Sequence, residues 1–244
     1  MSSASRSACV ILVLMMGTGL TAQDDVAGAE AKAAYDGRFA FTRIRVGRPL
    51  AMYRRLPPWA HDYPRADFHF SKILTELTFV RSMVDQGNIL TLDDPDLALF
   101  PIAYMSEPGF WTMSDAEVEG LRGYLQKGGF IIFDDFRAFH NQNLFEQMRR
   151  VLPDALWRPL DVSHPVFHSF FEIKSLEVDS YYGRAQWLGV FEDNDPRKRL
   201  LAVANSNHDL GEYWEFSDTG YMPVDISNDA YKFGVNYVIY GLTH

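Results

Sequence analysis

A helix, a glycine pair and an apolar strand follow one another in the middle of this chain, and together they limit its fold more than any other segment. Ser114 and Glu117 have the spacing of a capping box, which predicts the start of a helix. Gly128 and Gly129 then predict its end. The next residues, Phe130–Phe133, form an unbroken apolar run, as expected of a strand that is covered on both faces in a parallel sheet. The segment therefore predicts a central strand between layers of helices.

In the rest of the chain, segments with the hydrophobic spacing of a helix alternate with segments that have the apolar pattern of a strand. Helices are predicted over Asp67–Val84, with Asp67 as N-cap, and over Asn141–Val151 and Tyr231–Leu242. Strands are predicted over Phe39–Val46, Ile89–Leu92, Leu97–Met105, Trp187–Phe191 and Leu200–Ala204, with a turn joining the second and third of these. This order favours an α/β three-layer sandwich with a mostly parallel, flavodoxin-like sheet.

The N-terminus has the layout of a secretory signal peptide over Met1–Ala22. Arg6 precedes an apolar run, Ala8–Leu20, which is too short to cross a hydrocarbon core of about 30 Å as a stable helix. We expect cleavage after about Ala22, and an uncleaved N-terminal anchor is the alternative. Either outcome predicts an extracytoplasmic domain, periplasmic or secreted. Residues 23–38 are interpreted as a linker and 39–244 as one domain, with no membrane span after cleavage.

Charge and cysteine content exclude several classes of function. The net charge is −9, so nucleic acid is not an expected partner. The single cysteine, Cys9, lies within the predicted signal peptide. The mature protein would then contain no disulfide, no cysteine-ligated zinc and no cysteine nucleophile.

Asp134 and Asp135 are the candidate catalytic residues. They directly follow the predicted central strand, and ligands of open parallel sheets bind beyond the carboxyl ends of the strands. Two carboxylates pointing into one crevice would raise the pKa of at least one of them. The alternative is structural: one aspartate caps the following turn and the other is solvated.

Three further segments supply candidate ligand-binding residues, each with a structural alternative. His164 and His168 flank a short helical turn begun by Pro165, which could instead be a packing turn among buried phenylalanines. In the segment 205–215 the candidates are Asn205, Asn207, Asp209, Trp214 and Glu215. The oxygen side chains at 205, 207 and 209 alternate as in a calcium loop but out of EF-hand register, and a turn that bonds its own backbone is the alternative. Near the first helix, Trp59, Asp62 and Tyr63 could line a carbohydrate site or plug the core.

Several motifs occur together in a characteristic order: Trp59, Asp62-Tyr63-Pro64 and Asp67, then LRGYLQKGGFIIFDDF, HPVFHSFF, NSNHDLGEYWE and GVNYVIYGLTH. In this the chain resembles the bacterial family called domain of unknown function 4159. The resemblance implies an exported or membrane-anchored domain, similar in fold to class I glutamine amidotransferases. In those enzymes the corresponding strand leads to a nucleophilic cysteine, whereas here it leads to Asp134 and Asp135. Glutamine hydrolysis through a thioester is therefore chemically unavailable.

Two hypotheses for the function follow. The first is a non-catalytic domain that binds an unknown small molecule, carbohydrate or protein partner in an amidotransferase-like cleft. The alternative is a carboxylate- or metal-dependent hydrolase that uses Asp134 and Asp135 with His164, His168, His208 or Asp209. The sequence identifies neither a cofactor nor a metal.

Overall fold

The computed structural model describes residues 31–46, 57–180 and 183–244. In chain order the described strands and helices are β1 (Thr42–Ile44), α1 (Arg65–Leu77), β2 (Asn88–Leu90), β3 (Ile102–Ser106), α2 (Asp115–Gln126), β4 (Phe130–Phe136), α3 (Asn141–Val151), β5 (Arg158–Pro159), β6 (Asp179–Ser180), β7 (Gly183–Arg184), β8 (Gln186–Phe191), β9 (Leu200–Ser206), α4 (Leu210–Glu215) and α5 (Val224–Thr243). Short 3-10 turns connect several of them, among them Pro58–Ala60 and Pro165–Phe167.

The described strands form one main sheet in the order β2-β1-β3-β4-β9-β8-β5. The five strands from β2 to β9 are parallel, and β8 and β5 extend the sheet in antiparallel fashion. Strands β6 and β7 pair separately. The expected mostly parallel sheet is thus confirmed, and β4 lies at its centre.

Helices cover both faces of this sheet. On one face Leu121 of α2 and Leu144 of α3 share a core with Phe133 of β4. On the other, Phe70 of α1 shares a core with Ile132 of β4, together with residues of α4 and α5. Successive β4 side chains therefore enter opposite layers, as the period of an extended strand requires. The fold is α/β, and its layering is compatible with a three-layer sandwich.

Two predicted helices have the expected start or bounds. At the start of α2 the Ser114 hydroxyl accepts from the Glu117 amide at 3.2 Å, and a Glu117 carboxylate oxygen accepts from the Ser114 amide at 2.8 Å. Helix α3 spans the predicted residues. The capping box is confirmed because both halves of its reciprocal hydrogen bonding form.

The prediction that Asp67 caps the first helix is wrong. Helix α1 begins at Arg65 after Pro64, so Asp67 lies within its first turn. There it forms an ion pair with the buried Arg43 of β1. The helix also ends at Leu77 rather than Val84, because Thr78 turns to an extended conformation with φ −126°.

The predicted pair of strands joined by a turn is also wrong. Strands β2 and β3 lie on opposite sides of β1 and do not pair with each other. Residues Pro95–Leu99 form a 3-10 helix, and its N-cap Asp94 accepts from the Asp96 amide at 3.0 Å. The apolar residues of this turn resemble a strand in sequence but pack as a single helical turn.

The predicted signal peptide lies outside the described residues. Part of the predicted linker is described and contacts the domain: the Ala31 carbonyl accepts from the Ile89 amide at 2.8 Å, and the Ala33 amide donates to Asn88 at 2.8 Å. In the described part of the chain, none of the helices has the length and apolar character needed to span a membrane.

Candidate functional site

Four titratable side chains meet beyond the carboxyl edge of the parallel strands. His61 and Asp62 follow the 3-10 turn after β1, Asp135 is in β4, and Asp209 follows β9. One potential ligand atom from each lies within 4.8 Å of the others. We call these four residues the edge cluster. The loop that carries His61 and Asp62 follows β1, next to the point between β1 and β3 where the strand order reverses, which is the usual place for a ligand in an open α/β sheet.

Asp134 is not a member of this cluster, although it precedes Asp135 directly. Its side chain is fully buried and accepts four hydrogen bonds, from the Tyr104 hydroxyl at 2.9 Å, the Asn205 amide group at 2.8 Å and the backbone amides of Leu210 at 2.8 Å and Gly211 at 3.1 Å. These bonds attach the start of α4 to the central strand. Asp134 therefore has a structural role: it fixes the start of α4 against β4.

An irregularity in β4 separates the directions of the two aspartates. The register with β9 shifts between Phe133 and Phe136, and Asp135 has a left-handed φ of 55°. Such a bulge re-aims a side chain at the end of a strand. The Asp135 carboxylate accepts from the Ser106 hydroxyl at 3.2 Å and lies 2.7 Å from Nδ1 of His61.

Asp62 is buried without a hydrogen-bond partner. Its side chain is 1% exposed, and within the described structure neither carboxylate oxygen receives a hydrogen bond. The nearest cationic group is Nδ1 of His61, 3.6 Å from Oδ1. On the other side, Oδ2 would lie 2.3 Å from a Cβ atom on Gly211, so only glycine leaves room for it. A buried carboxylate with two unpaired oxygens is costly unless a cation or a proton compensates it.

Burial and mutual repulsion make this a site of shifted protonation. Burial raises the pKa of Asp62 to about 7. It also raises the pKa of Asp135 and that of Asp209 well above the usual range, and the neighbouring carboxylates add to both shifts. Burial alone would lower the pKa of His61, but the surrounding carboxylates, Asp62 first, raise it overall. The carboxyl groups of the edge cluster therefore retain their protons to higher pH than exposed aspartates do.

Arg43 of β1 holds the loop that carries His61 and Asp62. The guanidinium is fully buried and donates to the carbonyls of Trp59 at 3.1 Å and His61 at 2.9 Å. Its remaining donors bind the carboxylate of Asp67. Fixed hydrogen bonds of this kind position a site precisely on its scaffold.

Helix α4 adds acidic groups beside the edge cluster. Asp209 is its N-cap, accepting from the Glu212 amide at 2.8 Å. The carboxylates of Glu212 and Glu215 form a second group with Asp62, in which one oxygen of each lies within 4.8 Å of the others. Asp62 is thus common to both groups.

The structure places the other predicted residues of this edge in supporting positions. Asn205 lies beneath the site, between Asp134 and the Tyr237 hydroxyl, which donates to it at 2.8 Å. Asn207 has a left-handed φ of 58° and accepts from the Ala138 amide at 2.7 Å. His208 is buried, and burial lowers its pKa to about 4, so it stays neutral.

The aromatic candidates lie in or beside the core. Trp59 and Trp214 are 2% and 1% exposed, and the Trp214 ring packs 4.6 Å from that of Phe70. Tyr63 is half-buried against Trp59, with a ring separation of 6.5 Å. These contacts correspond to the core-plug alternative.

The two candidate histidines of the 164–171 segment lie elsewhere. His164 caps the short turn by accepting a hydrogen bond from the Val166 amide at 3.2 Å. Its ring lies 5.5 Å from that of Phe191, which pairs with the first residue of β9, so His164 is near the amino ends of the parallel strands and away from the edge cluster. His168 contacts Glu172 at 2.9 Å and the Val162 carbonyl at 2.7 Å. Among the described residues, the histidine that joins the edge cluster is His61, which the sequence analysis did not select.

The fold and the edge cluster together define an α/β domain with an acidic site at the carboxyl edge of its parallel strands. The chain belongs to the family described as Domain of unknown function (DUF4159), whose family model matches residues 41–242. The whole edge cluster lies within this range. No curated protein matches the chain.

Proposed function

We propose that this protein is an extracytoplasmic binding domain that holds a divalent transition-metal ion in the edge cluster, through His61, Asp62, Asp135 and Asp209. The observation that carries the proposal is the pair of unpaired oxygens on the buried Asp62. Three carboxylates and one neutral imidazole offer three negative charges to an ion of charge two. Coordination would satisfy Asp62 and relieve the repulsion among the carboxylates.

The donor set favours one class of ion. Calcium and magnesium prefer oxygen ligands, and calcium takes about six to eight of them. An imidazole beside carboxylates suits manganese, iron or zinc better. Nδ1 of His61 lies 2.7 Å from Oδ2 of Asp135, a hydrogen bond for which one of the two groups must carry a proton, so coordination of an ion by both atoms displaces that proton. Mn²⁺ and Zn²⁺ should therefore bind more tightly than Ca²⁺.

Two parts of the proposal rest on the sequence. The layout of residues 1–22 supports export, and cell fractionation should find the protein outside the cytoplasm; recovery in the cytoplasm alone would contradict that part. The resemblance to class I glutamine amidotransferases rests on the helix, the Gly128-Gly129 pair and the strand that leads into Asp134 and Asp135. Without a cysteine at that elbow, the domain would bind a ligand rather than form a thioester.

Isothermal titration of the purified, chelator-treated protein with MnCl₂ tests the metal site. Wild type should bind Mn²⁺, and Asp135→Asn should weaken the affinity by at least about 100-fold, since even outer-shell partners of a metal contribute about 10–100-fold. Asp85→Asn, which makes the same charge change at an exposed position, is the matched control and should bind like wild type. Absence of Mn²⁺ binding to wild type, or equal binding by Asp135→Asn, would refute the proposal.

A further inference from the structure

We infer that Asp62 bridges two divalent cations: one in the edge cluster, and a second held by Asp62 with Glu212 and Glu215 of α4. This inference rests on the proposed function and extends it from a single ion to a pair. The two groups of ligand atoms are each within 4.8 Å internally, and Asp62 is the residue that they share.

The surroundings of Asp62 support a bridging role. Its Oδ1 faces the edge cluster, 3.6 Å from Nδ1 of His61. Its Oδ2 faces α4, where it lies against Gly211, the residue next to Glu212. Both oxygens are buried and without hydrogen bonds. If an ion in the edge cluster bound Oδ1 alone, Oδ2 would remain a buried, unpaired oxygen, which is costly.

Helix α4 presents the remaining ligands in a suitable way. Glu212 and Glu215 are three residues apart, so their side chains lie on the same face of the helix. Like charges at this spacing repel each other. The neighbouring Arg65 does not relieve the repulsion by a direct bond, because it donates to the Glu215 carbonyl at 3.3 Å and to the Asp218 carboxylate. A cation bound between the two glutamates would relieve this repulsion.

Both glutamates are half-buried, whereas the edge cluster is largely buried apart from His61. The second ion would therefore lie nearer the surface and keep more water ligands. Paired ions that share a carboxylate are usually about 3.5–4 Å apart and together bind an anionic oxygen group between them. Such a pair would give the site a preference for an anionic ligand despite the acidic character of the protein.

The number of ions per chain distinguishes this inference from the proposed function. Purified protein is saturated with MnCl₂ and passed through a desalting column equilibrated at a fixed concentration of free Mn²⁺. The bound Mn²⁺ per chain is then measured by elemental analysis, and its spectrum by electron paramagnetic resonance. Wild type should hold two Mn²⁺ per chain with a spin-coupled spectrum. Glu212→Gln and Glu215→Gln should each hold one, with the six-line spectrum of an isolated ion. Glu192→Gln, an exposed glutamate elsewhere, is the matched control and should retain two.

The outcomes separate cleanly. One Mn²⁺ per wild-type chain with an uncoupled spectrum would overturn the bridging inference and leave the proposed function standing. No bound Mn²⁺ would overturn both. Two ions retained by both glutamine variants would also overturn the inference, because the second ion would then lie elsewhere. Thermal unfolding in the presence of EDTA should give similar midpoints for all variants, since the substituted side chains are only partly buried.

Discussion

Replacing Asp134 by alanine should destabilise the fold far more than replacing it by asparagine. Alanine leaves four buried donors without an acceptor, from Tyr104, Asn205, Leu210 and Gly211. A buried polar group left unpaired costs about 1–3 kcal/mol. We expect about 4 kcal/mol in total, the low end for four groups, because water can enter the space of the lost carboxylate and satisfy some of them.

Asparagine should preserve most of this network. Its oxygen can accept the three bonds now made to Oδ2, and its amide group then faces Asn205. Asn205 can rotate its side chain so that its oxygen accepts, while Tyr237 changes from donor to acceptor. The change also removes a negative charge from a crowded acidic region. We therefore expect little loss of stability.

Thermal unfolding followed by circular dichroism, in EDTA to exclude metal effects, measures the difference. For a domain of this size 1 kcal/mol corresponds to about 2–4 °C, so Asp134→Ala should lower the Tm by about 8–16 °C. Asp134→Asn, the matched control, should stay within about 3 °C. Equal losses for the two variants, or an alanine variant as stable as wild type, would refute the assignment of Asp134 to structural support.

Three further perturbations test other parts of the structure. Gly211→Ala places a Cβ atom 2.3 Å from the Asp62 carboxylate, so Mn²⁺ affinity measured by titration should fall by about 10-fold or more; unchanged affinity would contradict the placement of Asp62. Asp67→Ala removes the carboxylate partner of the fully buried Arg43 and should cost about 3–5 kcal/mol in urea unfolding, whereas a loss below about 1 kcal/mol would show that the ion pair contributes little. Burial lowers the pKa of His164, so the unfolded chain takes up its proton more readily, and the contribution of this residue to stability should fall as the pH drops below about 6.5. The urea midpoint of His164→Asn, which can still cap the turn, should therefore rise relative to that of wild type between pH 7.5 and 5, and a difference that does not change with pH would count against this.

The sequence predicted those elements whose signals are local. The capping box at Ser114 and the glycine pair at 128 and 129 define α2 through contacts within a few residues of each helix end. The apolar run from Phe130 identifies β4, because a strand covered on both faces has no polar alternation. Asp67 has a residue type typical of an N-cap, but its carboxylate binds Arg43, 24 residues away, rather than the amides of its own helix.

The edge cluster depends on distant parts of the chain, which explains why it was only partly anticipated. Asp62, Asp135 and Asp209 were among the candidates, but no periodic pattern links them to one another or to His61. The bulge that turns Asp135 away from Asp134 is likewise set by pairing with β9. Helix α4 spans only Leu210–Glu215, too short for an apolar stripe to reveal it.

His61 has a consequence for the kinetics of the site. Its side chain is 43% exposed, whereas those of Asp62 and Asp135 are 1% and 5% exposed. Within the edge cluster, His61 is therefore the side chain that an ion from solvent reaches most readily. Rotation of that ring would set how quickly an ion is gained or lost, and the three acids behind it would set how tightly the ion is held. Residence time and affinity could thus vary independently, each through its own side chains.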